Sequence, residues 1–260
     1  MHPDELISAL RPLLRGALIA TDFDGTLAPL VDDPQASRPV PGAVDALSAL
    51  AGLGARVAVV TGRDAETVVR LGGLDAVPDI VVAGLYGLES WTAGRLTSLP
   101  TPAAIEYLRA ALPPVLAAAG ADPAVWVEDK RLSLVVHART AADPPRELRR
   151  IQPSIAALAA ELGFEIHPGS NVLEVRLPGS DKAGAVSRIV AASPTSAVLY
   201  LGDDLGDVPA LRAMQVLRDD GTPAWGCAVR SSGVPEVAEV ADVVLADPAA
   251  VVALLRALAA

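Results

Sequence analysis

The chain has 260 residues, 52% of them hydrophobic, so we expect either one large domain or a core domain that carries a smaller insert. A net charge of -10 without any run of basic residues argues against a nucleic-acid partner or an anionic membrane surface. No segment approaches the roughly 18 uninterrupted apolar residues of a membrane helix, and residues 1–15 carry charges where a secretory signal would be apolar, so a soluble cytoplasmic protein is predicted.

Strand and helix signals alternate in the first hundred residues. Apolar runs at 17–21, 55–60 and 79–84 predict buried strands, and the segments 41–54 and 64–71 between them predict helices. The strands are near-continuous Val and Ala runs, as in a parallel sheet that is covered on both faces. The pattern therefore predicts a doubly wound α/β sheet.

The order of helix and strand signals changes near residue 100 and predicts a small α+β insert. Its elements are helices at about 103–118 and 145–162 and strands at 124–128, 132–138, 164–167 and 172–177. Polar and apolar residues alternate in strands 132–138 and 172–177, which predicts a sheet with one open face. The segment 98–103, with two prolines, and the segment 177–180, with Pro and Gly, are the expected joints, so we assign residues 1–100 and 180–260 to the core and 101–179 to the insert.

The doubly wound pattern then resumes. Its elements are a helix from about Asp181, a strand at 197–202, a helix from about Asp207, strands at 224–229 and 241–246, and a closing helix.

Polar residues follow three of the predicted core strands directly. In open parallel sheets ligands bind beyond the carboxyl ends of the strands, so these residues are the candidates for chemistry. They are Asp22, Phe23, Asp24, Gly25 and Thr26; Thr61, Gly62 and Arg63; and Asp203, Asp204, Leu205, Gly206 and Asp207, with Lys182 opening the helix before the last of these strands. Carboxylates, a hydroxyl, glycines and one ammonium are thus expected at one edge of the sheet.

Two residue types are rare in this chain. Cys227 is the single cysteine, which excludes an intrachain disulfide and a thiolate zinc cluster, and its apolar surroundings favour a buried inert thiol. Only Lys130 and Lys182 are lysines, against 19 arginines. A compact ammonium at these two positions invites a specific role, although two surface lysines retained by chance explain the count equally well.

The strand-end residues suit phosphoryl transfer through a covalent aspartyl phosphate. Asp22 is predicted to attack phosphorus and to ligate a divalent metal, which reduces the repulsion between the two anions. Mg²⁺ suits such a site, because it takes few carboxylates and completes its octahedron with water and phosphate oxygen. Asp24 is predicted to protonate the leaving alkoxide and then to accept a proton from the attacking water, with its main-chain carbonyl as a candidate metal ligand.

The other strand-end residues are predicted to assist. Thr61 donates its hydroxyl to the phosphate, and Lys182 supplies a fixed positive charge. Asp203 completes the metal site, with Asp204 and Asp207 as further ligands or as supports of the ligands.

Each motif alone has a simpler interpretation. A calcium loop from Asp22 fails, because an EF-hand needs Gly at position six and Glu at position twelve, where this chain has Leu27 and Asp33. Residues 61–63 alone are more often a helix cap, and residues 202–207 alone are an acidic turn. A signalling domain that accepts phosphate on Asp22 and a binding protein that has lost catalysis are the alternatives from other functional classes. The insert argues against the first, and the complete set of reactive groups argues against the second.

The motifs resemble those of haloacid dehalogenase superfamily phosphatases. "DFDGT", "TGR", Lys182 and "GDD" are similar to the four motifs of that superfamily, and the insert resembles the cap of its sugar-phosphate members. More narrowly, segments 22–34, 128–139, 172–186 and 199–204 resemble the trehalose-6-phosphate phosphatase family.

The chain departs from that family's usual pattern in two places. Residues 84–87 read Gly-Leu-Tyr-Gly where the family usually has Gly-Ser-His-Gly, which removes an imidazole expected near the sugar. Residues 206–209 read Gly-Asp-Val-Pro where the family has Thr-Asp-Glu-Asp, which leaves Asp203, Asp204 and Asp207 in place.

The resemblance implies a magnesium-dependent phosphatase that hydrolyses trehalose 6-phosphate to trehalose and phosphate, with the synthase of that sugar phosphate as a candidate partner. Because Tyr86 stands where the family usually has histidine, other small-molecule sugar phosphates are alternative substrates, such as sucrose phosphate or a glycosyl-phosphoglycerate. The implied substrate-binding residues are Gly62, Arg63, Glu128, Lys130, His137, Arg139 and Glu174. For any single cap residue among them, a solvated position on an open sheet face is the simpler interpretation. For Glu128, Lys130 and Glu174 together, substrate binding is favoured, because the resemblance is concentrated there and Lys130 is one of only two lysines.

Overall fold

A computed structural model describes residues 1–98, 100, 102–130, 132–169 and 171–260. The chain divides into two compact units, which we call the core unit (Met1–Ser98 with Asp181–Ala260) and the second unit (Leu99–Ser180). Residues 99 and 101 of the joint expected at 98–103 lie outside the described residues.

The helices and strands are as follows. The helices are α1 (Pro3–Leu10), α2 (Ala43–Gly52), α3 (Ala65–Gly72), α4 (Ala103–Ala118), α5 (Pro144–Leu162), α6 (Lys182–Ala191), α7 (Val208–Asp219), α8 (Pro235–Val240) and α9 (Pro248–Ala259). The strands are β1 (Leu18–Thr21), β2 (Arg56–Val60), β3 (Val81–Gly84), β4 (Glu89–Thr92), β5 (Arg95–Ser98), β6 (Trp126–Asp129), β7 (Ser133–His137), β8 (Glu165–Gly169), β9 (Val172–Arg176), β10 (Val198–Gly202), β11 (Ala224–Val229) and β12 (Val243–Leu245).

The core unit contains one sheet with the strand order β12-β11-β10-β1-β2-β3-β4-β5. Neighbouring strands from β12 to β3 are parallel, whereas β3, β4 and β5 pair antiparallel. The predicted doubly wound fold class is thereby confirmed. The β4–β5 hairpin was not predicted, because its strands are polar and its turn, Ala93-Gly94, lacks the Asn-Gly signal of a tight hairpin.

Apolar side chains cover the core sheet on both faces. Ile19 and Leu199 point into a cluster with residues of α1, α2, α3 and α9, while Leu18 and Tyr200 point into a second cluster with residues of α6, α7 and α8. Covering both faces removes the need for polar alternation, which is why the strands read as continuous apolar runs. Cys227 is buried in the first cluster, as expected, and burial raises the pKa of its thiol.

The register of the sheet brings the site segments together. Thr21 at the end of β1 lies opposite Leu201 of β10 on one side and Val59 of β2 on the other. The Asp22 N–H donates to the Leu201 carbonyl at 2.8 Å. The segments that follow β1, β2 and β10 are therefore neighbours at one edge, as the sequence predicts.

The second unit contains a four-stranded antiparallel sheet with the order β6-β7-β9-β8. One face packs against α4 and α5 through Leu112, Ile155, Leu134 and Val175 among others. Among the described residues, no helix is both long and apolar enough to span a membrane.

The expectation of a solvated face on this sheet holds only at the sheet edges, as in β6, where Trp126 and the side chain of Glu128 are 49% and 40% exposed. Ser133, His137, Glu174 and Arg176 lie on the face opposite the helices, yet each is at most 8% exposed. Polar side chains of this face bond to one another, as Ser133 does when its hydroxyl donates to Glu174 at 2.8 Å. Polar and apolar alternation shows which side chains share a face, but it does not show whether that face is solvated.

We predict that Gly84→Ala destabilises the core unit and Gly52→Ala does not. A Cβ at Gly84 would lie 2.4 Å from the backbone nitrogen of Ala65, so backbone must move, at a cost of about 1–3 kcal/mol. A Cβ at Gly52 in α2 meets nothing within 4 Å, so that variant should gain about 0.5–1 kcal/mol from its higher helix propensity. Urea unfolding midpoints check this, and equal midpoints for the two variants would contradict it.

Candidate active site

Asp22 directly follows β1 and is almost completely buried, with 4% of the residue exposed. Phe23 turns into the apolar core beside it, and the chain then folds back so that the Gly25 N–H donates to the Ala28 carbonyl at 2.7 Å. Gly25 has φ +81°, and a Cβ there would lie 2.1 Å from Oδ2 of Asp203. Glycine at position 25 therefore allows the β1 loop and the Asp203 loop to approach each other.

Asp207 is the most fully bonded carboxylate of the site. Its Oδ1 accepts from Lys182 Nζ at 2.8 Å and from the Tyr200 hydroxyl at 2.5 Å. Its Oδ2 accepts from the backbone N–H groups of Asp203 and Asp204 at 3.0 and 3.1 Å. Four donors on one buried carboxylate fix the loop after β10 and leave Asp207 little capacity for another partner. The contribution of Tyr200 to the site was not predicted from the sequence, because this residue lies inside an apolar run.

Lys182 joins the two sides of the site. Its ammonium lies 3.0 Å from Oδ1 of Asp22 and 2.8 Å from Oδ1 of Asp207, and its side chain is 5% exposed. Asp204 is farther away, 3.7 Å from the ammonium, and its side chain is 55% exposed. The buried ammonium thus lies against two carboxylates from different strands.

Burial and mutual repulsion shift the pKa values of the acidic groups. Burial raises the pKa of Asp22 well above its usual range, although the Lys182 ammonium acts in the opposite direction. Burial, together with Asp207 and Asp204, raises the pKa of Asp203 to about 7. Burial alone would lower the pKa of Lys182, but Asp207 and Asp22 raise it well above its usual value. The cluster therefore concentrates more negative charge than one ammonium balances.

The cluster has the features of a site for a hard cation. Asp22, Asp203 and Asp207 place one oxygen each within 4.8 Å of one another, all of them buried. Thr26 donates to Oδ1 of Asp203 at 3.3 Å, whereas Oδ2 of Asp203 is buried and has no hydrogen-bond partner in the part of the chain that the structure describes. An unpartnered buried oxygen beside further carboxylates suits a divalent ion such as Mg²⁺. The carboxylate of Asp204, also predicted as a ligand, is not a member of this group. Asp24 was predicted to ligate through its main-chain carbonyl, and that stays a prediction.

The Asp24 carboxylate forms an ion pair with the guanidinium of Arg63. Arg63 Nε and a terminal nitrogen donate to the two Asp24 oxygens at 2.6 and 2.7 Å, and the Ser37 hydroxyl donates at 2.9 Å. Arg63 also donates to the Pro34 carbonyl at 2.6 Å. The structure therefore pairs the predicted acid/base with a predicted substrate-binding residue.

Thr61 and Gly62 follow β2 as predicted. Thr61 is buried, and its Oγ1 accepts from the Arg63 N–H at 3.1 Å. Gly62 lies against the ring of Tyr86, since a Cβ at Gly62 would be 2.8 Å from the Tyr86 hydroxyl oxygen.

Two serines that the sequence analysis missed support the site from the loop after β11. Ser231 donates to the Gly25 carbonyl at 2.5 Å, and Ser232 donates to the Asp203 carbonyl. The loop after β11 carries an Arg-Ser-Ser-Gly run, so extending the strand-end argument to this further parallel strand would have found both serines.

Three of the residues predicted in the second unit, Glu128, His137 and Glu174, lie on one face of its sheet. Glu128 and Glu174 both lie opposite Val135, so they share one face. Glu128 is 2.9 Å from Nε2 of His137, whose ring stacks on Trp126 with centroids 3.9 Å apart.

Two further predicted residues lie beyond the strands of this sheet. Lys130 is half-buried in the β6–β7 connection, where its N–H donates to the Ser133 carbonyl. Arg139 follows β7 and is exposed. The structure thus brings Glu128, His137 and Glu174 onto one face.

The core-unit arrangement has the parts of a phosphoryl-transfer centre. It holds a buried carboxylate that can act as a nucleophile, a buried ammonium beside it and an acidic group that suits a divalent cation.

Comparisons with known proteins agree with this geometry. Residues 20–245 match the family model described as trehalose-phosphatase. The trehalose-phosphate phosphatase of Mycobacterium marinum is 34% identical over 229 residues, which cover 82% of this chain and 57% of that protein. That of Mycobacterium avium is 33% identical over 210 residues, which cover 78% of this chain and 52% of that protein. The chain thus spans about half the length of the curated relatives it matches.

The fold has counterparts among solved structures. A crystal structure of Aspergillus fumigatus trehalose-6-phosphate phosphatase aligns with a TM-score of 0.76 and 23% identity, covering 100% of this chain and 97% of the other. At this identity the likeness shows the fold, which is the haloacid dehalogenase fold. Because the family model covers most of its length, the chain belongs to the trehalose-phosphatase family.

Proposed function

We propose that this chain hydrolyses trehalose 6-phosphate to trehalose and phosphate in a magnesium-dependent reaction. The observation that carries the proposal is the contact of the buried Asp22 carboxylate with the Lys182 ammonium, beside an Asp203 oxygen that has no hydrogen-bond partner among the described residues. The family membership and the names of the mycobacterial relatives support trehalose 6-phosphate as the substrate.

In the proposed reaction an Asp22 oxygen forms a bond to phosphorus while the bond from phosphorus to the sugar oxygen breaks. Asp24 transfers its proton to the departing sugar oxygen. Asp24 then accepts a proton from water, whose oxygen attacks the aspartyl phosphate and releases phosphate and free Asp22. Because Arg63 holds Asp24 here, the acid/base role requires Asp24 to exchange this ion pair for contact with the substrate.

The other core residues stabilise charge in this proposal. Asp22 and Asp203 would hold Mg²⁺, since four donors already occupy Asp207. When bound, the ion offsets the negative charge of the carboxylates and of the phosphate. Lys182 and Thr61 bind phosphate oxygens, and Asp207 orients Lys182.

We assign selection of the sugar to residues 101–179, which lie within the second unit, and catalysis to residues 1–100 and 180–260. Sugar hydroxyls call for carboxylates and amines as hydrogen-bond partners. The placement of Glu128, His137 and Glu174 on one sheet face, with Lys130 in the β6–β7 connection, supports this assignment.

The first test is phosphate release from a panel of sugar phosphates, with Mg²⁺ and with chelator. We expect trehalose 6-phosphate to be the preferred substrate, and chelation to abolish turnover reversibly. Asp22→Asn should lower turnover by about a thousandfold or more, because an amide is a poor nucleophile. Asp45→Asn, an exposed acid in α2, is the matched control. Near-parental activity of Asp22→Asn would rule out the mechanism, and preference for sucrose phosphate or a glycosyl-phosphoglycerate would rule out the substrate.

A second test concerns Lys182. Lys182→Ala should lower kcat/KM on all phosphate esters by about a hundredfold or more, because the site loses its fixed cation. Lys182→Arg should also be impaired, since a planar guanidinium does not replace a compact ammonium held between Asp22 and Asp207. Arg212→Ala, which removes an exposed cation of α7, is the control. Full activity of Lys182→Arg would show that a point charge is not needed.

A third test separates sugar recognition from phosphate chemistry. Replacing Glu128, Lys130 or Glu174 by Ala should lower kcat/KM for trehalose 6-phosphate by about tenfold or more and largely spare p-nitrophenyl phosphate, because only sugar contacts are lost. Glu161→Ala, an exposed acid of α5, serves as the control. Equal losses on both substrates would mean that the residue supports the fold and does not read the sugar.

A further inference from the structure

Three consecutive residues after β3 adopt left-handed backbone conformations. Leu85, Tyr86 and Gly87 have φ values of +48°, +57° and +82°. Glycine adopts such values freely, whereas Leu and Tyr do so at a conformational cost. Such strain persists only where surrounding contacts fix it, and it concentrates at functional sites.

The contacts that fix this run come from the loop 61–63. The Leu85 N–H donates to the Arg63 carbonyl at 2.8 Å, and the Tyr86 N–H donates to the Thr61 carbonyl at 3.0 Å. On its other side, Arg188 of α6 donates to the Tyr86 carbonyl at 3.0 Å. The left-handed run thus turns two successive N–H groups toward the loop that carries Thr61 and Arg63.

The side chain of Tyr86 presses on the same loop. A Cβ at Gly62 would lie 2.8 Å from the hydroxyl oxygen of Tyr86 and 2.9 Å from its Cζ atom. The phenol ring is half-buried, so part of its surface faces solvent. Gly62 lies between Thr61, whose hydroxyl is buried, and Arg63, which grips both oxygens of Asp24. The ring therefore covers the centre of a loop whose two ends belong to the candidate site.

We propose that Tyr86 is a positioning residue for the phosphate site, whose ring locks the loop 61–63 and thereby sets the Thr61 hydroxyl and the Arg63 guanidinium. The inference rests on the proposed function, because it assigns this loop to the phosphate ester. Since the ring acts on the phosphate side, Tyr86 affects every phosphate ester, unlike the residues assigned to sugar selection.

The kinetic test uses Tyr86→Gly and Tyr86→Phe. Tyr86→Gly keeps the left-handed backbone accessible and removes the ring, so kcat should fall about tenfold or more on both trehalose 6-phosphate and p-nitrophenyl phosphate. Tyr86→Phe keeps the ring and should stay within about twofold of the parent. Ala93→Gly is the matched control, because Ala93 is another left-handed residue, with φ +51°, in the β4–β5 turn. Parental kcat for Tyr86→Gly, or equal losses for Tyr86→Gly and Tyr86→Phe, would overturn the proposal.

A double-variant cycle tests the contact between ring and loop. Gly62→Ala places a methyl group against the ring and should lower kcat in the parent chain, and adding Tyr86→Gly should restore part of the loss caused by Gly62→Ala. Strictly additive losses would contradict the contact.

Hydrogen exchange gives a readout that does not need activity. In Tyr86→Gly, amide exchange in residues 61–64 should accelerate relative to the parent, while Ala93→Gly leaves that segment unchanged. Unchanged exchange would overturn the inference. An inactive parent whose loop still responds to Tyr86→Gly would instead count against the proposed function alone.

Discussion

The rest of the candidate site depends on the buried ammonium of Lys182, which lies between Asp22 of the β1 end and Asp207 of the β10 loop. Each carboxylate alone would be costly to bury, and the shared cation lets two parallel strands end in acids at one place. Asp207 also fixes the loop after β10, because its other three donors are Tyr200 and two backbone amides of that loop. The position of Asp203 follows from the same bonds. A single cation thus organises residues that are far apart in the sequence.

The sequence predicted this part of the molecule well for a physical reason. Parallel strands that are covered on both faces read as long apolar runs, and their carboxyl ends must meet, so polar residues directly after them can be grouped without a structure. Asp22, Thr61 and Asp203 were found in this way, whereas Lys182 was found as the first residue of the helix before β10 and as one of only two lysines. Tyr200 was not, because a phenol within an apolar run looks like a core residue until its hydroxyl partner is known. The β4–β5 hairpin lacked both apolar alternation and a strong turn signal.

The polar face of the second unit marks the limit of pattern-based prediction. Alternation in strands 132–138 and 172–177 predicted a sheet with one polar face, and the strand register places both Glu128 and Glu174 opposite Val135 on that face. Alternation could not reveal that Ser133 bonds to Glu174 or that the ring of His137 stacks on Trp126. Such pairings depend on which strands become neighbours, and the order β6-β7-β9-β8 places β9 between β7 and β8 although β8 precedes it in the chain.

The burial of Cys227 has a practical consequence for spectroscopy. It is the single cysteine among 260 residues, and its thiol lies within the apolar cluster on one face of the core sheet with a raised pKa. Maleimide reagents attack the exposed thiolate, so they will leave this residue unmodified in the folded protein. Cysteines introduced at exposed positions, one in each unit, can therefore carry a fluorophore pair while the natural thiol stays in place. Distances can therefore be measured by energy transfer without first replacing the natural cysteine.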